Sequence, residues 1–134
     1  MKTIRVLLVD DSETFAGSAI RFLSSHKEIQ MVVWAPSANE ALEKLAETPS
    51  DLVLLDIAMP YMTGLEALPL LKQIQPTARV VFLTLYDNAA YRAEAERIGA
   101  DGFVGKAEFA TKLIPLISKL FREEGVENGK RIVS

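Results

Sequence analysis

The apolar residues of this chain fall into five short runs, each followed by a longer segment of mixed polarity. The runs are Ile4 to Val9, Met31 to Ala35, Leu52 to Leu55, Val80 to Leu83, and Phe103 with Val104. A short apolar run bounded by turn signals is typical of a strand that is buried on both faces, as the strands of parallel sheets are. The sequence therefore predicts five buried parallel strands.

The segments after these runs carry apolar residues at helical spacing, which predicts one helix after each strand. The first helix is capped by Asp11 or Ser12 and ends near residues 24–26. The other four are predicted from Ala38 up to Pro49, from Gly64 to Ile74, from Asn88 to Ile98, and from Glu108 to Phe121. Pro115 is expected to bend the last helix or to shift its start toward Thr111.

Alternating strands and helices imply right-handed crossovers and a doubly wound five-stranded α/β sheet. Strand order 2-1-3-4-5 is a common solution and places the first and third strands side by side. Polar residues that follow the strands then share one edge of the sheet. These residues are Asp10, Asp11, Asp56, Thr84 and Lys106. Each alone fits a turn or helix cap, but five of them at one edge indicate a functional site.

Three neighbouring carboxylates repel one another unless a cation lies among them. Mg²⁺ suits a site of carboxylates and a backbone carbonyl, and Mn²⁺ is an expected substitute. Beside such an ion, one carboxylate can act as a nucleophile toward a phosphoryl group. The Lys106 ammonium and the Thr84 hydroxyl would then stabilise the charge on the phosphoryl oxygens.

The charge and composition of the chain exclude several classes of partner and metal site. A formal net charge of -3 and a pI near 5.2 argue against direct contact with nucleic acid. The chain has no cysteine, and its single histidine, His26, lies in a polar run typical of a solvated helix end, so no thiolate or multi-histidine metal site is expected. The apolar segment before Asp10 is too short for a signal peptide or a membrane span, which predicts a cytoplasmic protein without membrane contact.

The strand-end motifs resemble those of the receiver domains of bacterial two-component response regulators. The matching segments cover residues 4 to about 121, in the order and spacing of the family. They are Val-Leu-Leu-Val-Asp-Asp at 6–11, Asp-Leu-Val-Leu-Leu-Asp-Ile-Ala-Met-Pro-Tyr-Met-Thr-Gly at 51–64, Thr84, and Ile-Gly-Ala-Asp-Gly-Phe-Val-Gly-Lys at 98–106. The resemblance implies a flavodoxin-like (βα)5 fold.

The resemblance also implies a mechanism centred on Asp56, which would accept a phosphoryl group from a sensor histidine kinase or a phosphotransfer protein. Asp10 and Asp11 would organise Mg²⁺, with Asp11 the closer ligand and the backbone carbonyl of Ala58 as another. Thr84 and Lys106 would bind the phosphoryl group.

Phe103 matches the aromatic switch position of the family, where a ring turns inward as the Thr84 hydroxyl moves to the phosphate. Plain core packing of Phe103 is the alternative. The chain would catalyse only its own phosphorylation and dephosphorylation. A homodimer through the face of the fourth helix, fifth strand and fifth helix, or through the first and fifth helices, is also implied.

The chain turns polar and glycine-containing from Arg122, which predicts residues 1–122 as the receiver domain and residues 123–134 as a polar tail or linker. The Leu-Thr-Leu-Tyr-Asp run at 83–87 is similar to receivers that carry a helix-turn-helix output. One departure from the family concerns Ala107, which follows Lys106 where most members have a proline in a cis peptide. Since a non-proline cis bond costs about 3 to 4 kcal/mol, the Lys106 loop is expected to be trans or strained.

Three rival functions share parts of this pattern. A flavodoxin-like redox protein would need hydroxyl and glycine donors after the first strand, where this chain has Asp10 and Asp11. A Mg²⁺-dependent aspartyl phosphatase would need a general acid, and no obvious one lies beside Asp56. A receiver that binds partners without phosphorylation is the third alternative, although all five site residues are present.

Overall fold

The computed structural model describes the backbone of residues 3–133 and the side chains of residues 3–122. Strands and helices alternate along this part of the chain. The strands are β1 (Ile4–Val9), β2 (Ile29–Ala35), β3 (Leu52–Asp56), β4 (Arg79–Thr84) and β5 (Gly102–Gly105). The α-helices are α1 (Glu13–Ser24), α2 (Ala38–Glu47), α3 (Gly64–Ile74), α4 (Ala89–Arg97) and α5 (Phe109–Val133), and a 3₁₀ turn spans Lys106–Glu108.

The strands form one parallel sheet in the order β2-β1-β3-β4-β5, which confirms the predicted doubly wound topology. β1 and β3 are neighbours, with Val9 opposite Leu55. At the same edge, Asp56 pairs with Leu83 and Thr84 pairs with Gly105. The carboxyl ends of β1, β3, β4 and β5 therefore meet at one edge of the sheet.

The core consists of two apolar layers, one on each face of the sheet. Val53 and Leu55 of β3 face the layer that includes α2 and α3, whereas Leu52 and Leu54 face the layer that includes α1 and α5. Successive side chains of a strand point to opposite faces, so a strand covered on both sides needs an unbroken apolar run. All residues of β3 are buried, including Asp56 at its end.

The boundaries differ from the prediction mainly at β2 and at the last helix. β2 starts at Ile29, which pairs with Ile4, rather than at Met31. α5 starts at Phe109 after the 3₁₀ turn, so Pro115 does not shift its start to Thr111. α5 also runs to Val133 instead of ending near Phe121, because a glycine weakens a helix by only about 1 kcal/mol and no proline follows Pro115.

The predicted tail or linker, residues 123–134, has its side chains outside the described residues, so the domain division remains a prediction. Within the part of the chain that the structure describes, no helix is both long enough and apolar enough to cross a membrane.

Gly64 allows α3 to begin directly against the end of β3. Its N–H donates a hydrogen bond of 2.8 Å to the carbonyl of Ile57, and a Cβ at this position would lie 2.9 Å from the Ile57 Cα and closer still to the Asp56 carbonyl oxygen. Because backbone cannot move aside as a flexible side chain can, we expect Gly64→Ala to lower the free energy of unfolding by about 2 kcal/mol. Urea denaturation measures this loss.

Gly17 in α1 provides the matched control for this substitution. A Cβ there would meet only the Arg21 side chain, 3.8 Å away. Gly17→Ala is expected to raise the free energy of unfolding by up to about 1 kcal/mol through helix propensity. A Gly64→Ala protein as stable as the wild type would contradict the steric argument.

Candidate functional site

Three carboxylates converge where β1 and β3 end. Oxygen atoms of Asp10, Asp11 and Asp56 all lie within 4.8 Å of one another. The Asp10 and Asp56 side chains are buried, with 0% and 4% of the residue exposed, whereas Asp11 is exposed. Adjacency of β1 and β3 brings residues about 45 positions apart into one cluster, as the predicted strand order required.

Asp10 is held in place by Ser12 and by β2. Its Oδ1 accepts a hydrogen bond of 2.8 Å from the Ser12 N–H, and its backbone carbonyl accepts one of 2.8 Å from Trp34 Nε1. The other carboxylate oxygen, Oδ2, is buried and lies 2.6 Å from Lys106 Nζ, yet it has no hydrogen bond of good geometry. This oxygen keeps lone-pair capacity for a cation.

Lys106 brings the only ammonium among the predicted site residues, and its side chain is 8% exposed. Its Nζ lies 2.6 Å from Asp10 Oδ2 and 3.5 Å from Asp56 Oδ2. The ring of Phe15 covers the ammonium, with 4.4 Å between Nζ and the ring centroid. The Lys106–Ala107 peptide is trans, as are the other peptide bonds of the described residues.

Burial raises the pKa of the Asp56 carboxyl from its ordinary value of 3.8 to about 6. Repulsion by Asp10, and to a smaller extent by Asp11, acts in the same direction, whereas Lys106 and the Ala58 N–H lower the pKa. The Ala58 N–H donates a hydrogen bond of 3.2 Å to Asp56 Oδ1. A carboxyl with a raised pKa beside other carboxylates is a common mark of a functional site.

This raised pKa predicts that Asp56 makes the metal-free protein less stable as the pH rises. The folded state binds the Asp56 proton more tightly than the unfolded state, so the stabilisation by protonation is full below about pH 3.8 and is lost as the pH rises through about 6. The loss attributable to Asp56 is about 3 kcal/mol. Urea denaturation in the presence of a chelator, across this pH range, measures it.

Asp56→Asn is the control, because its side chain does not titrate. The difference in unfolding free energy between Asp56→Asn and the wild type should grow as the pH rises and level off above about pH 6. A difference that stays constant over this range would mean that Asp56 ionises normally in the folded protein.

Thr84 lies at the end of β4 and is 1% exposed. Its hydroxyl oxygen accepts a hydrogen bond of 2.9 Å from the Tyr86 N–H, which leaves the hydroxyl proton to be donated elsewhere. Thr84 and Lys106 are thus both at the sheet edge that carries Asp56, as the sequence predicted from their positions at strand ends.

Phe103 of β5 is partly buried and packs against the apolar layer that includes α3 and α4. The Arg92 guanidinium lies over its ring, 4.6 Å from the centroid. Arg92 also donates two hydrogen bonds to Asp87, of 2.7 and 3.0 Å, and these lower the pKa of the Asp87 carboxyl. Arg92 was not predicted as a site residue, because nothing in its local sequence indicates a contact with β5.

The donor set fits a divalent metal ion. If all three carboxylates are ionised, Lys106 leaves two negative charges unbalanced, which a divalent cation would neutralise. All available donors are oxygen atoms, which Mg²⁺ prefers over softer ligands, and one of them is the buried Asp10 Oδ2. Asp11 is exposed, so the cluster can be reached from solvent.

Comparisons with known proteins identify the family to which the chain is similar. Residues 6–118 match the family model of the response regulator receiver domain. The chain is 35% identical over 132 residues to the response regulator protein VraR of Staphylococcus saprophyticus, a match that covers 97% of this chain and 62% of that protein. The chain therefore spans about three fifths of the length of this relative.

Solved structures show the same fold. A LuxR-family two-component response regulator from Aurantimonas superposes with a TM-score of 0.84 and 28% identity, covering 91% of this chain and 87% of the other. A response regulator protein from Burkholderia pseudomallei gives a TM-score of 0.71 and 28% identity, covering 92% and 74% of the two chains. The latter structure contains a phosphorylated aspartic acid, a calcium ion and citrate.

Proposed function

The chain belongs to the family of response regulator receiver domains, and from this premise we propose that it is a phosphoacceptor signalling domain. Receiver domains of response regulators interact with histidine kinases, and we propose that Asp56 takes its phosphoryl group from such a kinase or from a phosphotransfer protein. One observation carries the proposal. The buried Asp56 carboxylate lies among two further carboxylates and the Lys106 ammonium.

The proposed reaction transfers a phosphoryl group from a phosphohistidine nitrogen to a carboxylate oxygen of Asp56. The P–N bond breaks, a P–O bond forms, and the leaving imidazole takes up a proton. With a pKa of about 6, Asp56 is mostly ionised at neutral pH and can act as the nucleophile. A neighbouring response regulator structure with a phosphorylated aspartic acid supports an aspartyl phosphate as the product.

Mg²⁺ would be held by the carboxylates of Asp10, Asp11 and Asp56 and by the backbone carbonyl of Ala58. When bound, the ion supplies positive charge that offsets repulsion between the carboxylates and the incoming phosphoryl oxygens. Lys106 Nζ, now 3.5 Å from Asp56 Oδ2, is within reach of a phosphoryl oxygen attached there. The Thr84 hydroxyl proton is the second proposed donor.

Phosphorylation would signal by shifting the population of two conformers of the domain. When Thr84 moves to the phosphoryl group, Phe103 would turn inward and leave the Arg92 guanidinium that now covers its ring. We propose that this change alters the face of α4, β5 and α5, where an output domain or a second copy of the chain binds. The helix pair α1 and α5 is the other proposed dimer surface.

The proposal also covers the catalytic activity of the chain, its location in the cell and its output. Receiver domains are generally not enzymes, and we propose that this one catalyses only its own phosphorylation and dephosphorylation, in the cytoplasm. LuxR-family structural neighbours favour a DNA-binding output outside these residues. A flavodoxin-like redox protein is not favoured, because the loop after β1 places carboxylates where a flavin phosphate would need hydrogen-bond donors.

Incubation with acetyl phosphate, with and without Mg²⁺, tests the proposal. We expect intact mass spectrometry to show one added phosphoryl group only when the metal is present, and peptide mapping to locate it on Asp56. A phosphoryl group on another residue would contradict the assignment. No uptake under any condition, together with normal folding, would favour the receiver that works without phosphorylation.

A further inference from the structure

Phe15 occupies the first turn of α1, and its ring covers the Lys106 ammonium at 4.4 Å. We propose that Phe15 is a positioning residue for Lys106: its ring keeps the ammonium over the carboxylates, where the proposed phosphoryl group arrives. The role of Lys106 in this inference rests on the function proposed above. Phe15 itself touches no reacting atom.

The position of Phe15 is tied to the acidic cluster through Ser12. The Ser12 N–H donates a hydrogen bond to Asp10 Oδ1 at 2.8 Å, and the Ser12 hydroxyl accepts one of 3.2 Å from the Phe15 N–H as the cap of α1. Lys106 Nζ then returns to Asp10 Oδ2 at 2.6 Å. These contacts form a closed circuit that runs through Asp10, Ser12, Phe15 and Lys106. A shift of any one of these residues therefore disturbs the others.

The Phe15 ring is also supported by α5. Phe109, the first residue of that helix, is buried and meets Phe15 edge to face, with 5.4 Å between the centroids and 78° between the planes. Phe22 meets the same Phe109 ring at 5.4 Å. Phe109 follows Lys106 by one 3₁₀ turn, so the same short segment carries both the ammonium and the support for the ring that covers it.

The Phe15 ring provides part of the stabilisation that water gives to the ammonium of an exposed lysine. The Lys106 side chain is only 8% exposed, and Asp10 and Asp56 are the carboxylates that pair with its Nζ. The face of an aromatic ring attracts a cation, and this attraction is stronger where water is excluded. Since a lysine has four rotatable side-chain bonds, a further partner beside the carboxylates restricts the ammonium to the place where it acts.

Packing of Phe15 against Phe109 is the structural alternative, and three variants distinguish it from a role in positioning Lys106. Phe15→Leu keeps apolar volume but removes the aromatic face, whereas Phe15→Tyr keeps the face. Phe22→Leu removes another aromatic partner of Phe109 and leaves Phe15 beside Lys106. The effect of Phe15→Leu should therefore exceed that of Phe22→Leu only if the ring acts on Lys106.

Two measurements on the full chain test the proposal. In the first, phosphorylation by saturating acetyl phosphate with Mg²⁺ should slow by about tenfold in Phe15→Leu, the order expected for the loss of a buried cation–π contact. The rates of Phe15→Tyr and Phe22→Leu should stay near that of the wild type. In the second, NMR should show the Lys106 methylene protons nearest Nζ shifted upfield by the ring in the wild type and in Phe15→Tyr, but not in Phe15→Leu.

The possible outcomes separate this proposal from the function on which it rests. Equal slowing in Phe15→Leu and Phe22→Leu, or unshifted Lys106 protons in the wild type, would overturn the positioning role alone. A normal rate in Phe15→Leu would do the same. A wild-type protein that takes up no phosphoryl group would overturn the proposed function and this role with it, while the NMR measurement would still report whether the ring covers the ammonium.

Discussion

Asp56→Asn is expected to abolish uptake of a phosphoryl group from acetyl phosphate in the presence of Mg²⁺. An amide oxygen is a far weaker nucleophile than a carboxylate, and no other carboxylate occupies the end of β3. Loss of a covalent nucleophile lowers rates by on the order of a thousandfold or more. Intact mass spectrometry over a time course gives the rates for the variant and the wild type.

The same substitution at the other end of the strand provides the control. Asp51 immediately precedes β3, and its carboxylate accepts a hydrogen bond of 2.9 Å from the Arg5 N–H. Asp51→Asn changes one charge in the same segment, far from the acidic cluster, and should keep the wild-type rate. Comparable uptake by Asp56→Asn and the wild type would show that Asp56 is not the acceptor.

Lys106→Met is expected to destabilise the metal-free protein by about 3 kcal/mol at neutral pH, because it leaves buried carboxylates without their cation. The Lys106 ammonium lies 2.6 Å from Asp10 and 3.5 Å from Asp56, and methionine preserves most of the apolar stem. Urea denaturation with a chelator measures the loss. Added Mg²⁺ should stabilise Lys106→Met more than the wild type, since the ion takes over the missing charge.

Phosphorylation should also slow in Lys106→Met, by about a hundredfold, since removing one charge-stabilising donor has an effect of that order. Lys112→Met is the matched control: Lys112 pairs with Glu108 at 3.0 Å, but both side chains are largely exposed, at 58% and 41%. Exposed pairs contribute about 1 kcal/mol at most, so this control should leave stability and rate nearly unchanged. Equal stability of Lys106→Met and the wild type in metal-free buffer would contradict the role assigned to the buried ion pairs.

Several features of the site followed from local sequence patterns. The run before Asp56 is apolar at every position because both faces of β3 are covered, so the strand and its end were visible in the sequence alone. Parallel strands bring their carboxyl ends to one edge, and this alone predicts that Asp10, Asp56 and Thr84 lie together.

The end of the last helix was less predictable. The prediction ended this helix at Phe121, shortly before Gly125, yet α5 continues through Gly125 to Val133. A glycine ends a helix when the backbone there takes a left-handed turn, and otherwise it only weakens the helix. Sequence alone does not distinguish these two cases.

The contacts of the charged and aromatic side chains were decided only by the tertiary structure. The contact of Phe15 with Lys106 joins residues 91 positions apart in the chain, so no local pattern indicates it. The raised pKa of Asp56 likewise depends on how completely the surrounding layers exclude water.

The sequence by itself therefore determined which residues lie at the functional edge of the sheet, since buried strands are visible in local segments and their alternation with helices implies a parallel sheet. The tertiary structure decided how Asp56, Lys106 and Phe15 are spaced, buried and charged relative to one another. The physical reason is that electrostatic and cation–π interactions depend on distance and solvent exclusion, and both arise only when distant segments pack together.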